Sequence, residues 1–184
     1  MHGKILESSQ TALVVIDVQE AFRSVVNDFS LIASNIAIAV RGFQILDVPV
    51  IVTEQYPKGL GRTAEEILMA FAEQPEIIEK TAFSACEANG FVEKLRSLNA
   101  SQIVLCGVEA HVCVSQTAHD LLDLGFSVHL LEDSISSRYE HDKKAGLAKM
   151  HSNGAISSSF EMALFELMRD SKQEKFKEIQ ALIK

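Results

Sequence analysis

Four stretches of this chain are apolar almost without a break: "ALVVIDV" at 12–18, "PVIVTEQ" at 49–55, "QIVLCGV" at 102–108 and "SVHLLED" at 127–133. A strand with one face in water alternates apolar and polar residues, and these stretches do not. Runs this continuous are strands buried on both faces, which requires a parallel sheet with helices packed on each side. Two shorter runs, "EIIEK" at 76–80 and "AISSS" at 155–159, read as further strands.

Helix-period segments fill the intervals. They cover 30–46 with Ser30 as candidate N-cap, 63–73 with Thr63 and Glu66 in capping-box spacing, and 89–99. Others cover 111–125, ending on Gly125, and 141–154. From 160 to the end the chain reads as helical, with a break near Asp170 and Ser171. Strand–helix alternation with short connections predicts an α/β fold: a three-layer, doubly wound, Rossmann-like arrangement around a largely parallel sheet. No repeat, low-complexity stretch or Pro/Gly-rich linker divides the 184 residues, so one domain over 1–184 is expected. Hydrophobic content of 47% suits a sizeable core.

The net charge of −8 argues against a nucleic-acid surface. No apolar run reaches membrane length, and "MHGKILESSQ" lacks the pattern of a secretory signal. Cys86, Cys106 and Cys113 form no CxxC and leave an odd count, so reduced thiols and a cytoplasmic location are expected.

In doubly wound sheets, ligands bind beyond the carboxyl ends of the strands. Three chemistry-bearing residues fall there. Asp17 follows "LVVI", Lys80 ends "EIIEK", and Cys113 lies a few residues past "IVLCGV" in the first turn of a helix. A thiol with an ordinary pKa of about 8.5 is a poor nucleophile at neutral pH. A helix N-terminus favours its thiolate, a carboxylate can take its proton, and a lysine can hold that carboxylate charged and in place. Each residue also has a plainer reading. Cys113 can be packing, Asp17 a helix cap or metal ligand, and Lys80 a solvated charge.

The quoted segments "ALVVIDVQEAF", "PVIVTEQYPKGLG", "EKTAFSA" and "IVLCGVEAHVCVSQTAHDLLDLGFSVHLLEDS" together resemble the isochorismatase-like cysteine hydrolase family. The likeness runs from Thr11 to about Met168. "TEQYPKGLG" and "GVEAHVCV" point to the isochorismatase-domain-containing subgroup. The resemblance implies a catalytic triad of Asp17, Lys80 and Cys113. It also implies a cis, non-proline peptide between Val108 and Glu109, and an oxyanion hole made by the N–H groups of Glu109 and Cys113. Cys86 and Cys106 match no family position and are read as loop and core.

Departures from related enzymes narrow the reading. Nicotinamidases of this family place a metal site of Asp and histidines after the second strand; "TEQYPKG" has no histidine. None of His2, His111, His119, His129, His141 and His151 pairs with another in ligand spacing, so no metal or other cofactor is expected. Isochorismatases proper cleave an enol ether without a cysteine nucleophile, so Cys113 points to acyl or amide chemistry. Phe22, Tyr56, Phe83 and His111 neighbour the triad or the "EQYPKG" loop and are candidates to line a substrate pocket. Core packing is the alternative for Phe22 and Phe83. Gln19 either meets substrate or caps a turn.

The leading function is therefore a cysteine hydrolase of a small amide, ureide or related C–N compound. The alternative is a catalytically idle fold that binds a small molecule or protein. An aspartyl-phosphate enzyme using Asp17 is disfavoured, because "DVQEA" lacks a second Asp two residues on. A homo-oligomer, dimer or higher, is expected: "LIASNIAIAV" offers more apolar helix face than one sheet face covers, and the family commonly assembles.

Overall fold

The computed structural model describes residues 5–184, so His2 lies outside the described residues. Among the described residues, six strands form one sheet: β1 Thr11–Ile16, β2 Val50–Gln55, β3 Ile77–Lys80, β4 Gln102–Val108, β5 Ser127–Ser136 and β6 Ile156–Ser158. Their order across the sheet is β3-β2-β1-β4-β5-β6, and every neighbouring pair is parallel. The chain winds outward from β1 in one direction through β2 and β3. It then crosses to β4 and winds outward the other way. The crevice between the ends of β1 and β4 is thus the topological switch point.

Among the described residues, eight α-helices accompany the sheet: α1 Phe29–Ile45, α2 Pro57–Leu60, α3 Glu65–Leu68, α4 Phe91–Ser97, α5 Ser115–Asp123, α6 Glu140–Ser152, α7 Phe160–Met168 and α8 Phe176–Leu182. All six residues of β1 are buried, and they divide by parity. Leu13 and Val15 join a core with α1, α7 and α8, whereas Ala12, Val14 and Ile16 join a second core with α4, α5 and α6. That division is the physical content of an unbroken apolar run: both pleat faces have a helical layer to bury against.

Several expected boundaries move. Helix α1 begins at Phe29, one residue before Ser30, and no side chain caps it. The carboxylate of Asp28, at the cap position, takes Ser136 Oγ and Lys143 Nζ instead. The expected helix at 63–73 shrinks to α3. Thr63 donates its hydroxyl and its N–H to the buried Glu54 at 2.7 and 2.6 Å, and Glu66 pairs with Arg23 at 2.8 Å, so neither is available for a capping box. The break after α7 falls where expected, and Gly125, with φ +86, lies two residues past the last residue of α5. The apolar face of α1 is covered within the chain and leaves no surplus for a partner: nine of its residues are buried, and only Leu31 among its large apolar residues is exposed.

Candidate active site

Asp17 is the first residue past β1, with φ +51, and is fully buried. Its N–H donates to Thr53 O on the adjacent β2 at 3.2 Å. The Thr53 hydroxyl donates back to Asp17 Oδ1 at 2.7 Å, and Lys80 Nζ donates to Oδ2 at 2.6 Å. Neither side chain of the Asp17–Lys80 pair touches solvent. Truncating one partner of such a pair would leave a buried charge uncompensated, a cost of about 3–5 kcal/mol. The parallel register delivers these residues together: Ile16 lies opposite Thr53, and Gln55 opposite Lys80.

Cys113 arrives from the other side of the switch point. After β4 the Val108–Glu109 peptide is cis, and residues Ala110–Val114 form a π-type turn that leads into α5. The Glu109 carbonyl accepts from the N–H groups of Val112 and Val114 at 3.0 and 3.2 Å. Its carboxylate accepts from the backbone N–H and Nε of Arg138, both at 3.0 Å. Two glycines make the close approach possible. A Cβ on Gly107, which has φ +119, would meet Ile16 O at 2.1 Å. One on Gly146 of α6 would meet Ala110 O at 2.7 Å.

Asp17 and Lys80 both lie close enough to the Cys113 thiol to act on its ionisation. Its ionisation runs opposite to the expectation from its helix-start position. Burial first, then the Asp17 carboxylate, push the thiol up to about 12, while Lys80 pulls it down by less. Desolvation of a thiolate in a nearly closed site outweighs a helix N-terminus. Burial also raises Cys86, to about 12, and Cys106, which is wholly enclosed. The thiols are distinguished by neighbours: Cys113 alone among them has both a carboxylate and an ammonium within reach.

The expected pocket residues scatter. Tyr56, in left-handed conformation and 54% exposed, lines a cleft of about 440 Å3 with Lys58, Glu79, Lys80, Glu87 and Asn89. Phe83 gives its carbonyl to Lys80 Nζ at 2.9 Å and leaves its ring half exposed. Phe22 packs, partly buried, against the α1 core. His111 fastens the cysteine turn to the segment after β5, with Nδ1 3.0 Å from Ser137 Oγ. Gln19 is fully buried and ties loops together, donating to Gln55 O and Gly61 O. Thr53 and Gln55 are site residues that sequence reasoning passed over. The signal available was three polar residues, Thr53, Glu54 and Gln55, closing a strand that opens apolar. Among the described residues, no group of three His, Cys, Asp or Glu is placed to hold a metal ion, and no helix is long and apolar enough to cross a membrane.

A buried aspartate, lysine and cysteine at the switch point of a doubly wound sheet define a class of protein: an α/β fold that gathers these three side chains at the carboxyl edge of its strands. The family model for the isochorismatase domain matches residues 11–161. Isochorismatase domain-containing protein 2 of Danio rerio is 37% identical over 97% of this chain and 89% of its own length. Its Xenopus laevis counterpart is 40% identical over 98% and 86%. A solved structure described as the MAR1 ribonuclease of Caenorhabditis elegans superposes with a TM-score of 0.93, at 38% identity, covering 97% of this chain and 92% of that one. The chain belongs to the isochorismatase-like cysteine hydrolase family, in the isochorismatase domain-containing subgroup.

Proposed function

We propose that the protein hydrolyses a small amide or related C–N compound through a covalent acyl-enzyme on Cys113. The observation that carries this reading is the enclosed convergence of Asp17, Lys80 and Cys113. With the thiol held protonated at rest, its proton passes to Asp17 as sulfur attacks the carbonyl carbon. The C=O electron pair becomes an oxyanion, received by the N–H groups of Glu109 and Cys113. Collapse breaks the C–N bond, and the amine departs with the proton held by Asp17. Water then attacks the thioester, giving its proton to Asp17. The acid leaves, and the thiol takes the proton back. Lys80 holds Asp17 in place throughout and stabilises its carboxylate whenever the proton has left it. Neither metal nor other cofactor enters the scheme. Tyr56, Phe83 and His111 border the approach, and Phe22 supports the loop after Asp17. The chain is further proposed to act as a cytoplasmic homo-oligomer on a small-molecule substrate.

A second reading follows from one observation: the 38%-identical neighbour is described as a ribonuclease. The net charge of −8, and Glu79 and Glu87 in the cleft beside Lys80, make a poor track for a polyanion. A panel of small amides, set beside an RNA oligonucleotide and run with wild type and Cys113→Ala, separates the readings. Amide turnover lost in Cys113→Ala supports the hydrolase. RNA cleavage that survives Cys113→Ala, with no amide turned over, overturns it.

A further inference from the structure

The acceptors around Lys80 outnumber its donors. Its Nζ lies 2.6 Å from Asp17 Oδ2, 2.8 Å from Gln55 Oε1, 2.9 Å from Phe83 O and 3.2 Å from Ala82 O. An ammonium carries three N–H bonds and accepts nothing. A neutral amine would offer two donors to four oxygens and turn a lone pair toward one of them, so the geometry suits the cation. No N–H of Lys80 is left over for a substrate.

Among the described residues, Gln55 is the one side chain other than Asp17 that gives Lys80 Nζ an oxygen acceptor, and it is held at several points. Its Nε2 donates to Thr81 O at 2.7 Å, which ties down the segment whose next two carbonyls also face Nζ. Its backbone is clasped by the Gln19 amide: Gln55 N–H donates to Gln19 Oε1 at 2.8 Å, and Gln19 Nε2 donates to Gln55 O at 3.1 Å. Both amides have a determined orientation, because an ammonium can only donate and a carbonyl can only accept. Gln19 in turn donates its own N–H to Asp17 O at 2.8 Å, which closes a ring of contacts through Asp17, Lys80, Gln55 and Gln19.

We propose that Gln55, backed by Gln19, is a positioning residue of this site: it holds Lys80 as a hydrogen-bond-saturated ammonium against Asp17, and it acts on Cys113 only through Lys80. The proposal rests on the hydrolase reading above and assigns Lys80 no contact with substrate.

Alkylation of the full chain by iodoacetamide, resolved by mass mapping of each cysteine, tests it without a known substrate. The forms compared are wild type, Gln55→Met, Lys80→Met and the double variant, with circular dichroism as folding control. Gln55→Met is expected to slow Cys113 alkylation at neutral pH by about tenfold, the size of one hydrogen bond to a charged group, and to leave Cys86 unchanged. In the Lys80→Met background the same change is expected to add nothing. An undiminished Gln55 effect in that background overturns the proposal, as does no effect with Lys80 present. Lys80→Met without effect on Cys113 overturns the triad reading and the proposal with it. A measurement on wild type keeps the proposal testable if the variants do not fold. Proton–nitrogen spectra are expected to show the Lys80 ammonium hydrogens in slow exchange at neutral pH, and fast exchange with water overturns the relay.

Discussion

At the scale of single residues, the thiol is governed by opposed charges. Asp17 raises the Cys113 pKa and Lys80 lowers it, with burial the largest influence. Three substitutions therefore test how reactivity and catalysis depend on these charges. Asp17→Asn removes the carboxylate's contribution and leaves the ammonium beside sulfur. Alkylation of Cys113 at neutral pH should speed up while turnover disappears, because the base is gone. Lys80→Met should slow both, turnover by about 10²-fold or more, and Lys80→Arg should not rescue it fully, since a planar guanidinium does not fit the place of a compact ammonium. Alkylation rates and turnover measured on the same preparations check all three. A slower thiol in Asp17→Asn would contradict the assigned charges. Asp17, Lys80 and Cys113 were legible as strand-end residues with complementary chemistry. The direction of the thiol's shift was not, because depth of burial is set by packing and not by position along a helix.

At the scale of elements, the cysteine turn is held by what packs behind it. Helix α6 meets the Ala110–Val114 turn at Gly146, where a Cβ would lie 2.7 Å from Ala110 O and 2.9 Å from His111 N. Gly146→Ala adds about 1 kcal/mol of helix propensity but forces backbone apart, an overpacking cost of about 1–3 kcal/mol. The expected result is a lower melting temperature together with reduced Cys113 reactivity. A stabilised variant with unchanged alkylation would show that α6 does not set the turn. Strands were the most readable elements, since burial on both faces leaves its mark on every residue. The helix expected at 63–73 was not readable. Its capping-box residues Thr63 and Glu66 are taken by Glu54 and Arg23, partners far enough away in sequence to be invisible to a local pattern.

At the scale of the whole molecule, one buried group should mark the stability of the fold. His129 of β5 is 1% exposed, and burial lowers its pKa to about 4. Its unfolded value is near 6.5, so below that pH the unfolded chain binds a proton the native state refuses. Stability is then present in full above pH 6.5 and declines as pH falls toward 4, by roughly 2 kcal/mol between pH 7 and 5. Thermal melts should show a steeper acid loss in wild type than in His129→Leu; parallel curves would count against it. Assembly belongs to this scale too. Leu31 on α1 and Met162 and Phe165 on the neighbouring α7 stand exposed. Sedimentation at micromolar concentration should give a multiple of the 20.2 kDa chain, and a pure monomer would defeat the proposed oligomer.

The sequence by itself determined the layer architecture, because apolar period and run length report directly which faces must leave water. It also placed one aspartate, one lysine and one cysteine at the carboxyl edge of the sheet. Only the tertiary structure decided which polar residues serve that trio. Thr53 and Gln55 lie 36 and 38 residues from Asp17 along the chain and reach it through strand register and a shared lysine, and Phe22 went to the core while Tyr56 went to the cleft. Hydrogen-bond partners and desolvation depend on distances in space, and a linear pattern carries those distances only within an element.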